Sequence, residues 1–226
     1  MGFSNEWEEQ YSSNQHMSIW PWSDLVSYIY RYTEVAKRPD MKVLEIGCGA
    51  GANIPLFQKI GADYYAIDGS HTIIRMLREK YPIYAKNLVV GDFTKEIPFD
   101  ETFDVIVDRA ALTHNTTVDI KNTVRLIEEH LSAGAQFIGI DWFSKNHDDF
   151  DIGDIVPDDE YTKLMKDVDG QFAGLGNVHF SDEAHLRDLF ANFDIKVLEE
   201  KVVNTLLPVK HQFASWNFVA VKRVDK

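Results

Sequence analysis

Cysteine, positive charge and long apolar runs are all scarce in this sequence. The one cysteine, Cys48, excludes an internal disulfide and a zinc site built from several cysteines. Only 23 lysine and arginine residues stand against 36 aspartate and glutamate residues, giving a formal net charge of -13. A surface this acidic repels phosphate backbones and anionic lipid, so nucleic acid and membranes are disfavoured as the main partner.

Segments that would carry the chain into a membrane are also missing. No apolar run approaches the roughly 20 residues that span a bilayer. The opening MGFSNEWEEQ lacks the basic and apolar regions of a signal peptide. We therefore expect a cytoplasmic protein. The length of 226 residues suits a single α/β domain, 1–226, with a core of its own.

The apolar pattern alternates between strands and helices along most of the chain. Buried strands are predicted at residues 42–47, 63–68, 87–93, 103–109 and 135–143. Amphipathic helices are predicted from Ser23, over 53–60, from Ser70 to Pro82, over 119–131 and from Ser181. Two last strands, 195–203 and 214–223, have no helix of comparable length between them, which predicts an antiparallel pair. This order predicts a parallel sheet with helices on both faces.

Two segments depart from the alternation. Residues 1–38 form an N-terminal cap with one helix, and residues 144–180 form an acidic, aspartate-rich insertion after the fifth strand. Within the insertion, the spacing of Tyr161, Leu164 and Met165 predicts a short helix. Long insertions at this position are typical of lids and binding loops.

The stretch VLEIGCGAG, residues 43–51, follows the first strand and carries the first chemical signal. Its glycines let the backbone approach a ligand at the start of a helix. Gly47, Gly49 and Ala52 even satisfy the loose dinucleotide-binding fingerprint, with Asp68 near the offset of a ribose contact. Glu45, however, is a poor neighbour for a pyrophosphate and a good one for an ammonium or a sulfonium.

From Lys42 to Phe143, and again in the terminal hairpin, the chain resembles the class I S-adenosylmethionine-dependent methyltransferases. Their first motif, acid-x-G-x-G-x-G, is matched by Glu45, Gly47, Gly49 and Gly51. The resemblance implies a Rossmann-like seven-stranded, mostly parallel sheet with an antiparallel C-terminal hairpin. It also implies S-adenosyl-L-methionine (SAM) as the cofactor and S-adenosyl-L-homocysteine (SAH) as its product.

Later motifs of this family carry over to particular residues. Asp68, with Gly69 beside it, matches the acid that takes both ribose hydroxyls. Asp92 and Phe93 match the pair that reads the adenine, and Asp108 matches the position that opens toward the methionine end. Asp92 and Asp108 could each also simply cap a turn at a strand end.

The N-terminal aromatic residues allow two interpretations. The segment can fold over the cofactor as a lid, with Tyr11 and Trp20 shielding the sulfonium, as in related enzymes. Alternatively, Trp20 and Trp22 only pack the first helix onto the sheet. The two interpretations carry equal weight at this point.

Acceptor and catalytic groups are expected at the carboxyl ends of the fourth and fifth strands. His114 and Asp141 are the candidate catalytic residues, and the candidate substrate-binding residues are Trp142, His147 and Tyr161. The family's Asn/Asp-Pro-Pro-aromatic motif for exocyclic amides is absent, and no cysteine stands where a pyrimidine C5 enzyme needs its nucleophile. The aspartates of the insertion are more typical of a solvated loop than of a metal site, so no metal is expected.

The sequence thus predicts a SAM-dependent methyltransferase that transfers the sulfonium methyl group to an oxygen or nitrogen of a small molecule by in-line displacement. Three alternatives remain open. They are a methyltransferase that acts on protein or RNA with a partner subunit, an NAD(P)-binding oxidoreductase, and a SAM-binding protein without catalysis. The expected partner is a small-molecule substrate, without nucleic acid or membrane, and the protein is expected to be a monomer or homodimer.

Overall fold

The computed structural model describes residues 5–166 and 168–224. Residues 1–4 of the predicted cap and residue 167 of the predicted insertion lie outside the described part. The helices are α1 (Asn5–Ser12), α2 (Ser23–Tyr32), α3 (Ile54–Ile60), α4 (His71–Lys80), α5 (Thr117–His130) and α6 (Glu183–Leu189). The strands are β1 (Lys42–Ile46), β2 (Asp63–Asp68), β3 (Leu88–Val90), β4 (Phe103–Arg109), β5 (Leu131–Phe143), β6 (Asp154–Val156), β7 (Asp159–Met165), β8 (Gly176–His179), β9 (Phe193–Thr205) and β10 (His211–Lys222).

The main sheet has seven strands in the order β3-β2-β1-β4-β5-β10-β9. The first five strands in the chain pair in parallel, and β10 runs antiparallel to both β5 and β9. The predicted fold class is confirmed. The described helices are all too short or too polar to cross a membrane.

Helices cover both faces of this sheet, because successive side chains of a buried strand point to opposite sides. On β1, Val43 packs in the core that holds the apolar residues of α2, α3 and α4. The next residue, Leu44, packs in the other core, which holds those of α5 and α6. Both residues are fully buried.

Helix ends follow the predicted signals with small shifts. Ser70 caps α4, and its hydroxyl accepts a hydrogen bond from the Ile73 N–H at 3.1 Å. Gly61 ends α3 in the left-handed conformation, with φ 76°. The last helix is capped by Asp182, one residue after the predicted Ser181, through a 2.9 Å bond from the His185 N–H.

The insertion holds a second, antiparallel sheet of three strands in the order β6-β7-β8. The helix predicted around Tyr161, Leu164 and Met165 is therefore wrong, because these residues lie on β7. β7 pairs with both β6 and β8, and Met165 lies opposite Gly176 of β8. Met165 is fully buried in a third apolar cluster that also contains Phe143 of the main sheet.

A pair of histidines joins this small sheet to the helices below it. The Nε2 atoms of His179 on β8 and His185 on α6 are 3.1 Å apart, so one hydrogen is shared between two neutral rings. Burial, followed by the nearby His185, lowers the pKa of His179 to about 3. Tyr161 stacks on His185 with ring centroids 3.5 Å apart. Asp159 also accepts the Thr117 N–H at the start of α5, at 2.8 Å.

Candidate active site

A cavity of about 320 Å³ lies at the carboxyl ends of the parallel strands, within the range of small-molecule pockets. Residues that follow β1, β2, β3 and β4 line one part of its wall. The rest of the wall comes from α1, the segment between α1 and α2, Phe143 at the end of β5, residues 171–175 of the insertion and Phe213 of β10. Several elements that are distant in the sequence therefore meet at this site.

The glycine loop forms the floor of the cavity. Gly47 and Gly49 line it with φ of 65° and 49°, a backbone region that side chains other than glycine rarely adopt. A Cβ atom on Gly49 would lie 3.0 Å from the hydroxyl of Tyr11, so this part of α1 lies directly over the loop. Gly51 does not line the cavity, and its bare backbone packs against Leu77 of α4 instead.

Asp68 lies at the end of β2 with both carboxylate oxygens directed toward the loop. One oxygen accepts the Gly49 N–H and the other accepts the Ser70 N–H, each at 2.9 Å. A carboxylate oxygen has two lone pairs, so each oxygen can accept a further bond. Burial raises the pKa of Asp68, while the two N–H groups oppose the rise. Gly69 beside it also lines the cavity.

Asp92 and Phe93 line the cavity after β3. One oxygen of Asp92 accepts bonds from the backbone N–H and the hydroxyl of Thr94, at 3.1 and 2.6 Å. Its other oxygen lies 2.7 Å from the ammonium of Lys95, whose side chain is largely exposed. The aromatic ring and the carboxylate therefore stand together at the edge of the site, as the family motif predicts.

Glu45 also reaches the cavity wall, and each oxygen of its carboxylate accepts one hydrogen bond from the protein. The oxygens accept bonds from the amide of Asn53 at 2.7 Å and from the hydroxyl of Tyr64 at 2.5 Å. Burial raises the pKa of Glu45 to about 7, although these two hydrogen bonds act to lower it. Glu45 thus orders Asn53 and Tyr64 beside the glycine loop, and its role toward an ammonium or sulfonium group stays a prediction.

His114 lines the same cavity from the 3₁₀ turn Leu112–His114 after β4. Its Nδ1 atom is buried and has no hydrogen-bond partner among the described residues. Burial lowers the pKa of His114 to about 4, while a hydrogen bond to the backbone of Asn177 opposes the change. The ring contacts Trp7 edge-on at 4.8 Å. His114 is therefore a neutral imidazole at pH 7 with one free polar atom.

Comparison with known proteins agrees with this geometry. A family model described as a methyltransferase domain matches residues 15–200, which is most of the chain. The chain belongs to this family. This membership argues against the alternative of an NAD(P)-binding oxidoreductase.

Individual relatives of this methyltransferase are distant. The cypemycin N-terminal methyltransferase of a Streptomyces species is 33% identical over 86 residues, which cover 38% of this chain and 34% of that protein. A SAM-dependent methyltransferase from Methanosarcina mazei superposes with a TM-score of 0.66 at 19% identity, covering 91% of this chain and 100% of that one. The N-methyltransferase NodS from Bradyrhizobium japonicum, in complex with SAH, superposes with a TM-score of 0.58 at 13% identity, covering 88% and 86%. These two likenesses show the fold.

The residues present fit SAM, the cofactor of this methyltransferase. The bare backbone of Gly49 leaves room that a side chain would fill toward Tyr11. Asp68 keeps lone pairs for two hydroxyl groups, and Asp92 and Phe93 offer a carboxylate and a ring for a purine. The individual binding roles remain predictions, and the cavity places these groups together.

Three predicted residues lie elsewhere in the methyltransferase fold. Trp20 is 75% exposed and does not line the cavity, so it cannot shield a sulfonium there. Asp108 is fully buried and accepts the N–H groups of Ala111 and Leu112 at 3.0 and 3.1 Å, which is the capping role that the sequence left open. Asp141 is buried outside the cavity wall in ion pairs.

The three predicted substrate-binding residues also lie away from the cavity. Trp142 is fully buried, and its ring centroid lies 5.2 Å from that of Phe218. Its side chain points into the core that holds the apolar residues of α5 and α6. His147 is buried behind the wall, where its ring lies 4.9 Å from that of Phe172. Tyr161 stands outside on the small sheet.

Several residues of the wall carried no motif in the sequence. Most are aromatic and come from α1, the segment between α1 and α2, the end of β5, the insertion and the last strand: Trp7, His16, Trp22, Phe143, Phe172 and Phe213. Arg109, the last residue of β4, is the other important member. Its place at the end of the buried strand was the one available signal, since open α/β sheets bind ligands at such ends.

One group of side chains behind the wall has donor atoms suited to a metal. Atoms of His147, Asp149 and His211 lie within 4.8 Å of one another. The Nδ1 atom of His147, however, already accepts the Asp149 N–H at 3.0 Å. A ring that accepts a hydrogen bond at Nδ1 carries its hydrogen at Nε2, so neither nitrogen is a free donor to a metal.

Proposed function

We propose that this protein transfers the methyl group of SAM to a nitrogen or oxygen of a small-molecule acceptor by in-line displacement, with nitrogen favoured. The observation that supports it most is His114. A neutral imidazole with an unpartnered Nδ1 atom stands in the same cavity as the glycine loop. Bound SAM supplies an electrophilic methyl group on a sulfonium, a good leaving group.

His114 is positioned for the proton of the acceptor. Its hydrogen bond to the Asn177 backbone leaves the Nδ1 lone pair free to accept an N–H or O–H bond. Such a bond directs the acceptor lone pair, and His114 passes the proton that methylation releases on to solvent, because a ring with a pKa of about 4 does not keep it. Because the pKa of His114 is lowered to about 4 by burial, the ring stays neutral across the physiological range.

The aromatic wall supports a small acceptor with an amine. Trp7, Phe143 and Phe172 give the site an apolar lining, and an apolar lining strengthens electrostatic interactions with a bound ligand. Their faces also attract a cationic amine before it loses its proton. One relative is named as the cypemycin N-terminal methyltransferase, and one protein of similar fold is named as an N-methyltransferase. The net charge of -13 speaks against nucleic acid as the acceptor.

The experiment is a measurement of SAH release with saturating SAM and pools of acceptors. We expect turnover in pools of amines or phenols, and loss of turnover in Asp68→Ala. His114→Gln should lower kcat by about 100-fold or more with the SAM affinity retained. The matched control is His71→Gln, an exposed histidine that does not line the cavity. SAM binding without SAH release in any pool would contradict the proposal.

The pH profile provides a second readout. With His114 as the base, kcat should stay level down to about pH 5 and fall below it, following the pKa of about 4. A fall centred near pH 6.5 would point to an ordinary exposed histidine instead.

The terminal amine of a peptide is a second candidate acceptor. It is favoured by the relative that methylates the N-terminus of cypemycin, although this chain covers only 34% of that protein. A pool of short peptides with free and acetylated N-termini separates the two candidates, because only the free amine should be methylated.

A further inference from the structure

Arg109 is the one lysine or arginine among the described residues that line the cavity. The wall has three carboxylates: Glu45 lies on β1, Asp68 ends β2 and Asp92 follows β3. Arg109 ends β4. A carboxylate that enters an enclosed site needs an opposite charge or several hydrogen-bond donors. Arg109 is therefore the place in the cavity wall where an anionic group meets a positively charged side chain.

The guanidinium of Arg109 is fixed on two sides. Its Nε and Nη2 atoms both donate to one oxygen of Asp141, at 3.1 and 2.9 Å. Its central carbon lies 3.7 Å from the centroid of the Trp22 ring, a stacked cation–π contact. An arginine held in this way loses little further freedom when it binds a ligand.

Asp141 is itself held by residues of the terminal hairpin. Its other oxygen accepts the ammonium of Lys201 at 2.8 Å, and its backbone N–H donates to the side chain of Asn217 at 2.8 Å. Burial opposes ionisation, but the charges of Arg109 and Lys201 keep the pKa of Asp141 below its usual value. Asp141 therefore carries a charge at neutral pH, which its two partners balance.

Three N–H bonds of Arg109 remain after the contact with Asp141. They are both bonds of Nη1 and the second bond of Nη2, and no described residue accepts a hydrogen bond from Nη1. These two nitrogens form the end of the guanidinium fork, whose spacing matches the two oxygens of a carboxylate.

We propose that Arg109 binds a carboxylate in the cavity, and that Asp141 positions it. Two molecules can supply this group, the amino-acid end of the cofactor and the acceptor. The strand order places β4 on the far side of β1 from β2, so Arg109 and Asp68 stand on opposite sides of the glycine loop. A cofactor with its ribose at Asp68 then directs its other end toward Arg109, which favours the cofactor as the source.

The test is a binding measurement and does not depend on methyl transfer. Isothermal titration calorimetry compares SAH with 5′-methylthioadenosine, which has the nucleoside and the sulfur but lacks the amino and carboxyl groups. In Arg109→Gln we expect the Kd of SAH to rise about 10- to 100-fold, because a charge-assisted bond is lost. The Kd of 5′-methylthioadenosine should not change.

Two further variants separate charge, shape and position. Arg109→Lys keeps the charge without the fork, and should recover only part of the lost affinity. Asp141→Asn keeps the shape at a residue with φ 54°, a conformation that asparagine tolerates, and removes only the charge. It should weaken SAH less than Arg109→Gln and leave 5′-methylthioadenosine unaffected.

A second experiment tests whether the acceptor supplies the carboxylate that Arg109 binds. The protein saturated with SAH is titrated with benzoate and followed by NMR. Benzoate binding that is lost in Arg109→Gln, together with unchanged SAH affinity, assigns the carboxylate to the acceptor. The proposal is overturned if Arg109→Gln and Arg109→Lys alter neither measurement. It is also overturned if they weaken 5′-methylthioadenosine as much as SAH, since the cavity would then be generally distorted.

Discussion

Replacing His179 by glutamine is expected to make the stability of the protein less sensitive to acid. His179 lies between Thr162 and His185. Its Nδ1 atom is 3.1 Å from the hydroxyl oxygen of Thr162, and its Nε2 atom is 3.1 Å from the Nε2 atom of His185. A proton added to this ring would place two hydrogens between the paired histidines and a charge in the core. The folded protein therefore resists protonation here, whereas the unfolded chain accepts it.

The size of the effect follows from the two pKa values. Burial, and then His185, lowers the pKa of His179 from 6.5 to about 3 in the folded state. The unfolded state thus binds more protons between these values, so stability is complete above pH 6.5 and decreases as the pH falls toward 3. At pH 5 this one group lowers the free energy of unfolding by about 2 kcal/mol relative to its value well above pH 6.5.

Urea unfolding at pH 7.5 and pH 5 measures this difference. The wild type should lose about 2 kcal/mol more than His179→Gln between the two conditions. His114 and His147 also have lowered pKa values, and they contribute equally to the acid sensitivity of both proteins. The pKa of His185 is lowered too, but this residue loses its histidine partner in the variant. His71→Gln, at an exposed position, should behave as the wild type. Equal losses in wild type and His179→Gln would refute the reasoning.

Three other predictions concern particular contacts. Gly51→Ala should lower the free energy of unfolding by about 2–4 kcal/mol in urea titrations, since φ is 75° and the new Cβ would lie 2.5 Å from Leu77. A result within error of wild type would contradict the packing role. Ser70→Ala should cost about 1 kcal/mol in the same titration, because the cap of α4 is lost. Trp20→Ala should leave the calorimetric affinity for SAH unchanged, and a clear loss would show that α1 and Trp20 rearrange over the cofactor.

The parallel sheet was predictable because its signals are local. Apolar runs such as 105–107 and the caps around Ser70 and Gly61 specify strands and helix ends within a few residues. Those signals place the glycine loop, Asp68, Asp92 and His114 at one edge of the sheet once the strands pair in parallel.

The insertion was not predictable from the same signals. The spacing of Tyr161, Leu164 and Met165 fits one face of a helix, but it also occurs in a short strand whose neighbours are set by pairing with β8. The same limit applies to Asp141 and Trp142. Both lie near the end of β5, and only the packing of the terminal hairpin and α6 decides that one forms ion pairs and the other enters the core.

The cavity has two kinds of wall with separate supports. Loops of the central strands carry the groups suited to SAM, while Trp7, Phe172 and Phe213 come from α1, the insertion and the hairpin. The second set can change in length and composition without disturbing the pairing of β1 with β2 and β4. Selectivity for the acceptor can therefore be exchanged separately from the residues suited to SAM. Exchanging residues 144–180 between relatives of this fold should change the acceptor that is methylated while the residues suited to SAM stay in place.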